Sequence, residues 1–256
     1  MRVPWYDGLS VDVTLGNDNS LCLYVCGSFE PNEFAFLDRF LKEGMTFIDV
    51  GANDGYFTLF GAKRVGRTGQ VIAVEPSSRE RVNLVRNLKL NGAGNVTVVP
   101  AALGAAPGVA ELRLASDLHS GHNTLGDFAH EDVVSVRSER VDVDTLDSIA
   151  ERLELQRVDF IKVDVEGAET RVVKGGRKVL ASMRPLLMLE VNERPLRAQA
   201  SSTAELFALL REELGYEILV FSLSTGRLQH QKDDGYVSSN VVAVPSDRVV
   251  EILRVT

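Results

Sequence analysis

The sequence predicts an α/β protein built on a doubly wound, mostly parallel sheet. Three observations support this prediction. Short apolar segments alternate with helical segments along most of the chain, the first of them runs through a glycine loop into a helix, and the second ends in an acidic residue followed by proline. Strands and helices that alternate in this way form βαβ units, whose carboxyl ends meet at one edge of the sheet. We expect one domain over residues 1–256, because no linker-like segment interrupts the chain.

The composition excludes several classes of protein. The chain has a net charge of −8, and its Lys and Arg residues are scattered, which argues against binding to nucleic acid or to an anionic membrane surface. It has no apolar leader and no apolar run of about 18 residues. Cys22 and Cys26 would lie about 13 Å apart on a strand, too far for a disulfide, and two free thiols indicate a reducing compartment. A cytoplasmic location is therefore expected.

The first 43 residues are predicted to form an extension of the core. β-branched and polar residues from Asp12 to Val25, interrupted by the polar segment 16–19, favour a β-hairpin. Apolar residues at helical spacing from Glu33 to Leu41 favour a helix, which Gly44 would end.

The core, residues 44–256, is predicted to alternate between strands and helices. The predicted strands are 46–50, 70–74, 96–99, 160–165, 186–191, 217–223 and 237–244, and the predicted helices are 56–65, 78–90, 145–153, 168–181 and 202–214. Extended segments at 109–114 and 133–143 are expected to flank a polar loop insertion, residues 116–132, of the kind that often covers a substrate. The short connection between the last two strands favours an antiparallel pair at the sheet edge.

The glycine loop after the first core strand is the most informative segment. Gly51 and Gly55 would let the backbone approach a ligand, and Glu75 at the tip of the next strand could accept the two hydroxyls of a ribose. These features suit either a dinucleotide or an adenosyl cofactor. A dinucleotide requires G-x-G-x-x-G for its pyrophosphate, and that spacing is absent here. Asp49, just before the loop, would repel a pyrophosphate and attract the ammonium group of a methionine moiety.

Five segments, in the expected order, resemble the FkbM family of methyltransferases. They are Ile48–Thr58, Val74–Ser77, Gly121–Leu125, Val141–Asp147 and Asp159–Glu169. The resemblance covers residues 43–192, and the ordered set is more specific than a glycine loop alone.

The resemblance implies a class I methyltransferase fold, which is a Rossmann-like sheet of seven strands with the last one antiparallel. It also implies S-adenosylmethionine as the methyl donor and a hydroxyl of a sugar, polyketide or lipid-linked product as the acceptor. The cofactor-binding residues that it implies are Asp49, Gly51, Asn53, Gly55, Tyr56, Glu75, Pro76, Ala101 and Ala102. Among these, Glu75 would hold the ribose, and Ala101 and Ala102 would border the adenine.

The end of the fourth core strand carries the main catalytic candidates. Alternation places Lys162, Asp164 and Glu166 on one face, at the edge where such sheets bind ligands. A buried lysine needs a charged partner, and Asp164 is the natural one. A purely structural ion pair is the alternative. Glu190 on the next strand is a further candidate, unless it only supports the Lys162 pair.

His122 is the remaining catalytic candidate, because histidine titrates near neutral pH and this segment shares the resemblance. The neighbouring side chains match no zinc spacing, so no metal site is predicted among His119, His130, Asp117 and Asp127. Magnesium held by Asp164 and another carboxylate stays an option.

We therefore expect an S-adenosylmethionine-dependent O-methyltransferase that acts on a small hydroxylated molecule. Association into a homodimer stays open. An NAD-dependent oxidoreductase or epimerase is the enzymatic alternative, and the missing glycine pattern counts against it. A non-catalytic cofactor-binding protein and the methylation of a protein acceptor are two further alternatives.

Overall fold

The computed structural model describes residues 1–13, 18–116, 121–126, 128, 135–231 and 237–255. Within these ranges the strands are β1 (Arg2–Trp5), β2 (Leu9–Asp12), β3 (Thr46–Val50), β4 (Gln70–Val74), β5 (Val96–Val99), β6 (Ala102–Leu103), β7 (Gly108–Ala115), β8 (Ser135–Asp144), β9 (Phe160–Val163), β10 (Leu186–Glu190), β11 (Tyr216–Phe221), β12 (Leu228–His230) and β13 (Asn240–Pro245). The helices are α1 (Asp18–Cys26), α2 (Pro31–Phe40), α3 (Tyr56–Val65), α4 (Ser78–Leu90), α5 (Leu146–Arg152), α6 (Glu169–Gly175), α7 (Arg177–Met183), α8 (Glu193–Ala198), α9 (Thr203–Ala208) and α10 (Val249–Val255). A π-helical turn, Leu209–Glu213, follows α9.

An eight-stranded sheet forms the centre of the molecule, in the order β12-β11-β13-β10-β9-β3-β4-β5. Strands β10, β9, β3, β4 and β5 are parallel, whereas β13 is antiparallel to both of its neighbours, β10 and β11. The seven predicted strands are all present, and the antiparallel pair is confirmed. Its predicted place at the edge is wrong, because β13 lies between β10 and β11 and the unpredicted β12 forms the edge.

The N-terminal extension differs from the prediction. The hairpin is formed by β1 and β2, where Arg2 pairs with Asp12, and most of the segment predicted as a hairpin is helix α1. Ser20 and Leu23, three positions apart, are both buried, whereas Leu21 is half exposed. This spacing is helical, and a strand would place Ser20 and Leu23 on opposite faces. Cys22 and Cys26 are exposed free thiols on this helix.

Several core elements also differ from their predicted bounds. The helix expected at 168–181 is divided into α6 and α7 at Gly176, where an added Cβ would lie 2.5 Å from Leu146 Cδ2. The strand expected at 160–165 ends at Val163, so that Asp164 and Glu166 lie in the turn that follows β9. The loop insertion at 116–132 falls in the described residues only at 116, 121–126 and 128.

Two apolar layers cover the faces of the large sheet. One contains the hairpin and α1–α4, with Phe34 stacked on Phe57 at 4.4 Å between ring centroids, and the other contains α5–α9. Alternate strand residues, such as Phe47 and Ile48 on β3, enter opposite layers as the period of a strand requires. A smaller sheet, β6-β8-β7, lies beside the end of β5. Among the described helices, none has the length and apolar character to cross a membrane.

The contact between α3 and β3 gives a stability prediction. A Cβ on Gly61 would lie 2.3 Å from Phe47 Cδ1. Gly61→Ala should therefore lower the free energy of unfolding by about 1–3 kcal/mol, as overpacking does, although alanine is the better helix former. Gly94→Ala is the control, because a Cβ there meets no atom within 4 Å. Urea unfolding measures both variants, and an unchanged stability of Gly61→Ala would contradict the close packing.

Candidate active site

The carboxyl ends of β3, β4, β9 and β10 open into one cleft of about 1260 Å³, its open mouth included. The N-terminal extension, the small sheet and segment 121–126 complete its walls. The residues predicted for the site line this cleft, except Asp49 and Gly55. Those that line it are Gly51, Asn53, Tyr56, Glu75, Pro76, Ala101, Ala102, His122, Lys162, Asp164 and Glu166. Most of the residues predicted for the site therefore lie in one cleft, and the role of each stays a prediction.

The glycine loop is shaped by contacts within the protein. Gly51 has a φ of +83°, and an added Cβ would lie 1.8 Å from the Asp164 carbonyl oxygen. Only glycine allows β3 to turn this closely against the end of β9. At Gly55, with a φ of +87°, a Cβ would lie 2.4 Å from Leu84 Cδ1 on α4. Gly55 therefore serves the packing of α3 on α4, and its predicted contact with a ligand is not supported by its position.

Asp49 lies behind the wall of the cleft. Its side chain is fully buried, and Oδ2 accepts a hydrogen bond of 2.5 Å from Thr58 Oγ1. Its Oδ1 atom has no hydrogen-bond partner among the described residues. Burial raises the pKa of Asp49, and Lys162, which faces it in the β3–β9 register, opposes that shift. The position of Asp49 favours pairing with Lys162 over the predicted direct contact with the cofactor.

Glu75 joins two loops at the end of β4. Its Oε2 atom accepts from the Asn53 N–H and its Oε1 atom from the Ser77 N–H, both at 2.8 Å. Burial raises the pKa of Glu75 to about 8, although both hydrogen bonds act in the other direction. Each carboxylate oxygen has a second lone pair, so Glu75 can also accept ligand hydroxyls.

Lys162 is a buried cation on the central strand β9, with 3% of its surface exposed. Its Nζ atom donates to Asp164 Oδ2 at 2.7 Å and lies 4.6 Å from the centroid of the Phe57 ring. Burial alone would lower the pKa of Lys162, but the carboxylates of Asp164, Asp49 and Glu30 together raise it above its ordinary value. The structure thus contains the predicted buried pair, and Lys162 is charged.

Three carboxylates lie together beside this pair. Oxygen atoms of Asp164, Glu166 and Glu190 all lie within 4.8 Å of one another. Burial and the facing Asp164 and Glu166 carboxylates raise the pKa of Glu190 well above its ordinary value, while Lys162 keeps the pKa of Asp164 low against its own burial. Within this cluster Glu190 therefore keeps its proton more readily than Asp164, which Lys162 holds ionised.

Two of these carboxylates already have partners with which a divalent cation would have to compete. Lys162 already donates to Asp164, and Glu166 contacts His122. Magnesium at these carboxylates stays a prediction from the sequence. The side chains among which no metal site is predicted, His119, His130, Asp117 and Asp127, lie outside the described residues.

His122 and Glu166 form a second pair at the mouth of the cleft. The distance from His122 Nδ1 to Glu166 Oε1 is 2.9 Å. Glu166 lies in the turn after β9 and has a left-handed backbone conformation, with a φ of +53°. When the Nδ1–H group donates to Glu166, the basic lone pair of the neutral imidazole is on Nε2. This is the arrangement of a histidine base oriented by a carboxylate.

Glu30 lines the cleft and was not predicted. It precedes α2 with a φ of +49°, and its Oε1 atom accepts a hydrogen bond of 2.9 Å from Asn240 Nδ2. Asn240 also donates to Glu33 at 3.2 Å. Burial is the main reason why the pKa of Glu30 rises to about 7. In the sequence Glu30 gives only a helix-start signal beside Pro31, and nothing there connects it with the cleft.

Sequence comparisons identify related proteins. A family model described as the methyltransferase FkbM domain matches residues 49–218. Methyltransferase sdnD of Sordaria araneosa is 32% identical over 155 residues, which cover 50% of this chain and 59% of that protein. The AMB antimetabolite synthetase AmbE of Pseudomonas aeruginosa is 31% identical over 205 residues, which cover 68% of this chain and 10% of AmbE. The chain spans less than two thirds of the length of either relative.

Solved structures share the fold. The methyltransferase FkbM from Methylobacillus flagellatus gives a TM-score of 0.51 at 18% identity, with 79% of this chain and 44% of that chain covered. Cofactor-bound Rv0187 from MTB gives a TM-score of 0.50 at 12% identity, with 86% and 81% covered. The predicted class I fold is confirmed.

Glu75 should make the stability of the protein depend on pH. Its pKa is about 8 in the fold against an ordinary value of 4.5, so the folded state holds this proton more tightly than the unfolded chain. The stability that this proton contributes is complete below pH 4.5 and is lost as the pH rises through about 8, at about 1.4 kcal/mol per unit of pKa difference. Glu75→Gln should therefore flatten the fall of the thermal midpoint across this range.

The exposed Glu217 supplies the matched control, Glu217→Gln. Thermal unfolding followed by circular dichroism compares both variants with the wild type. A Glu75→Gln variant that kept the full pH dependence would contradict this assignment.

Proposed function

This chain belongs to the FkbM methyltransferase family, and from that premise we propose that it transfers a methyl group from S-adenosylmethionine to a hydroxyl of a small, uncharged acceptor. The His122–Glu166 pair carries the proposal, because it places a histidine base in the same cleft as the glycine loop and Glu75. The relatives named methyltransferase, and the likeness to part of an antimetabolite synthetase, are consistent with such a reaction on a natural product.

The cofactor would be held on the β3–β5 side of the cleft. Glu75 would accept the ribose hydroxyls, while Ala101 and Ala102 after β5 offer an apolar border for the adenine. S-adenosylmethionine supplies, when bound, a methyl group on a positively charged sulfur. The acidic cleft favours such a cation. Gly51 and Asn53 would contribute backbone atoms to the methionine part.

The acceptor would be deprotonated by His122. Nε2 would take the hydroxyl proton, and Glu166 would stabilise the resulting imidazolium through Nδ1–H. Asp164, ionised beside Lys162, would accept a hydrogen bond and orient the acceptor. Holding both reactants in one cleft would supply the remaining rate enhancement.

The charges of the cleft favour an acceptor without an anionic group near the reacting oxygen. Among the described lining residues Lys162 is the only lysine and there is no arginine, whereas five carry carboxyl groups, of which Asp164 is held ionised by Lys162: Glu30, Glu75, Asp164, Glu166 and Glu190. A phosphate or carboxylate would lose its hydration here without gaining a free cationic partner, because Lys162 is already paired with Asp164. A hydroxyl of a sugar or polyketide fits these walls better.

The alternatives receive less support. An NAD-dependent enzyme would place a pyrophosphate at the glycine loop, near the ionised Asp164, which repels it. A non-catalytic binding protein leaves the oriented His122–Glu166 pair without a purpose. A cytoplasmic location and a homodimer stay predictions from the sequence.

Cofactor binding gives the first test of this proposal. Titration calorimetry should detect S-adenosylmethionine and S-adenosylhomocysteine but not NAD. Glu75→Ala should weaken the binding of both about tenfold to hundredfold, which corresponds to the loss of one or two hydrogen bonds to the ribose. Glu217→Ala, at an exposed position on β11, is the control. Binding of NAD, or of none of the three, would refute the cofactor assignment.

Turnover gives the second test. Neutral and phosphorylated hydroxy compounds are screened as acceptors, and only neutral ones should be methylated. His122→Asn should then lower the single-turnover rate about 10²–10⁴-fold, the usual contribution of a general base, with unchanged affinity for the cofactor. His230→Asn, at an exposed position on β12, is the matched control. Full activity of His122→Asn would exclude His122 as the base.

A further inference from the structure

We propose that Thr124 and Gln199 are positioning residues, which together set the separation of His122 and Glu166. This inference rests on the proposed function, because it concerns the same base. The two members of the pair come from separate parts of the chain, His122 from segment 121–126 and Glu166 from the turn after β9. Contacts between segment 121–126 and the turn after β9 must therefore hold the two side chains at their distance.

Thr124 makes the first connection. Its hydroxyl donates to the carbonyl oxygen of Glu166 at 3.2 Å and accepts from the Gly126 N–H at 3.2 Å and from Gln199 Nε2 at 3.0 Å. A hydroxyl has one proton and two lone pairs, so these contacts use its full capacity. Only 3% of Thr124 is exposed. One buried atom thus bonds the backbone of Glu166 and the segment that carries His122.

Gln199 makes the second connection, because its side chain lies between the same two parts of the chain. An added Cβ on Gly126 would lie 2.9 Å from Gln199 Nε2, and one on Gly167 would lie 3.0 Å from Gln199 Cγ. Gly167 directly follows Glu166, and Gly126 lies four residues after His122. A side chain at either glycine would enter the space that the Gln199 side chain occupies.

The backbone of Gln199 is itself fixed. Its N–H donates to the carbonyl oxygens of Pro195 and Leu196 at the end of α8, and its carbonyl oxygen accepts from Arg171 Nη2 at 3.1 Å. Segment 121–126 is also bound on its other side, where the N–H and carbonyl of Thr124 pair with those of Arg113 on β7. Thr124 and Gln199 therefore connect α8, β7 and the end of β9 at one place.

The test follows the His122 imidazole by NMR in the full chain, labelled at histidine, without any need for an acceptor. The chain has four histidines, and the signal that is lost in His122→Asn identifies His122. In Thr124→Val the titration midpoint of His122 should fall by about one pH unit, because the imidazolium loses much of the attraction of the Glu166 carboxylate. Thr124→Ser, which keeps the hydroxyl, should restore the wild-type midpoint.

Two further variants complete the experiment. Gln199→Met has a side chain of similar length without the amide, and it should lower the midpoint in the same direction; it decides the question if Thr124→Val does not fold. Thr46→Val is the matched control, because Thr46 is equally buried, accepts from Gln70 Nε2 and lies at the far end of β3. Its His122 midpoint should not change.

The outcomes separate this inference from the proposed function. Folded Thr124→Val and Gln199→Met proteins that keep the wild-type midpoint would overturn the positioning role. Calorimetry with S-adenosylhomocysteine is performed on the same samples, and the variants should bind it as the wild type does. If the wild type itself does not bind it, the proposed function fails, while the NMR result still decides whether Thr124 and Gln199 fix the pair.

Discussion

The arrangement of the cleft depends on the positive charge of Lys162 in the middle of the sheet. A cation on a strand with neighbours on both sides is tolerated only if carboxylates surround it. Asp49 faces Lys162 from the neighbouring strand β3, and Asp164 lies two residues after Lys162 at the end of β9. Glu30 approaches the same place from the N-terminal extension. The charge thus connects three separate parts of the chain. It also explains why Asp164 stays ionised in a crowded acidic cleft.

The parts of the fold that local pattern determines could be predicted. Strands β3, β4 and β5 and helices α3 and α4 have the predicted bounds, because each short apolar run is closed by a turn or helix signal. The N-terminal hairpin was placed wrongly, since residues 12–25 are β-branched and polar without a clear period. The position of β13 was also beyond prediction, because strand order depends on long-range packing and a sequence pattern records only local preference.

In the candidate site, too, local pattern identifies some residues, whereas others depend on tertiary packing. Residues within recognisable segments, such as Glu75 and His122, were predicted and lie in one cleft. Asp49 shares such a segment, yet its place on a central strand buries it beneath the wall. Glu30 and Gln199 carry no local signal that connects them with this site. Their contacts with the cleft arise from tertiary packing, across more than 70 residues of chain in the case of Gln199 and Thr124.

The position of β13 constrains the order in which the molecule can assemble. Strand β11 has no pairing with β10, and the two join the same sheet only because β13 inserts between them. Until Asn240–Pro245 has left the ribosome, β10 presents an open edge and β11 has only β12 as a partner. The parallel half of the sheet can form earlier, but the exposed edge of β10 is a surface for mispairing with other chains during synthesis. Glu190 ends that strand and faces Asn240 on β13, so this part of the acidic wall gains its final neighbour only when β13 has joined the sheet.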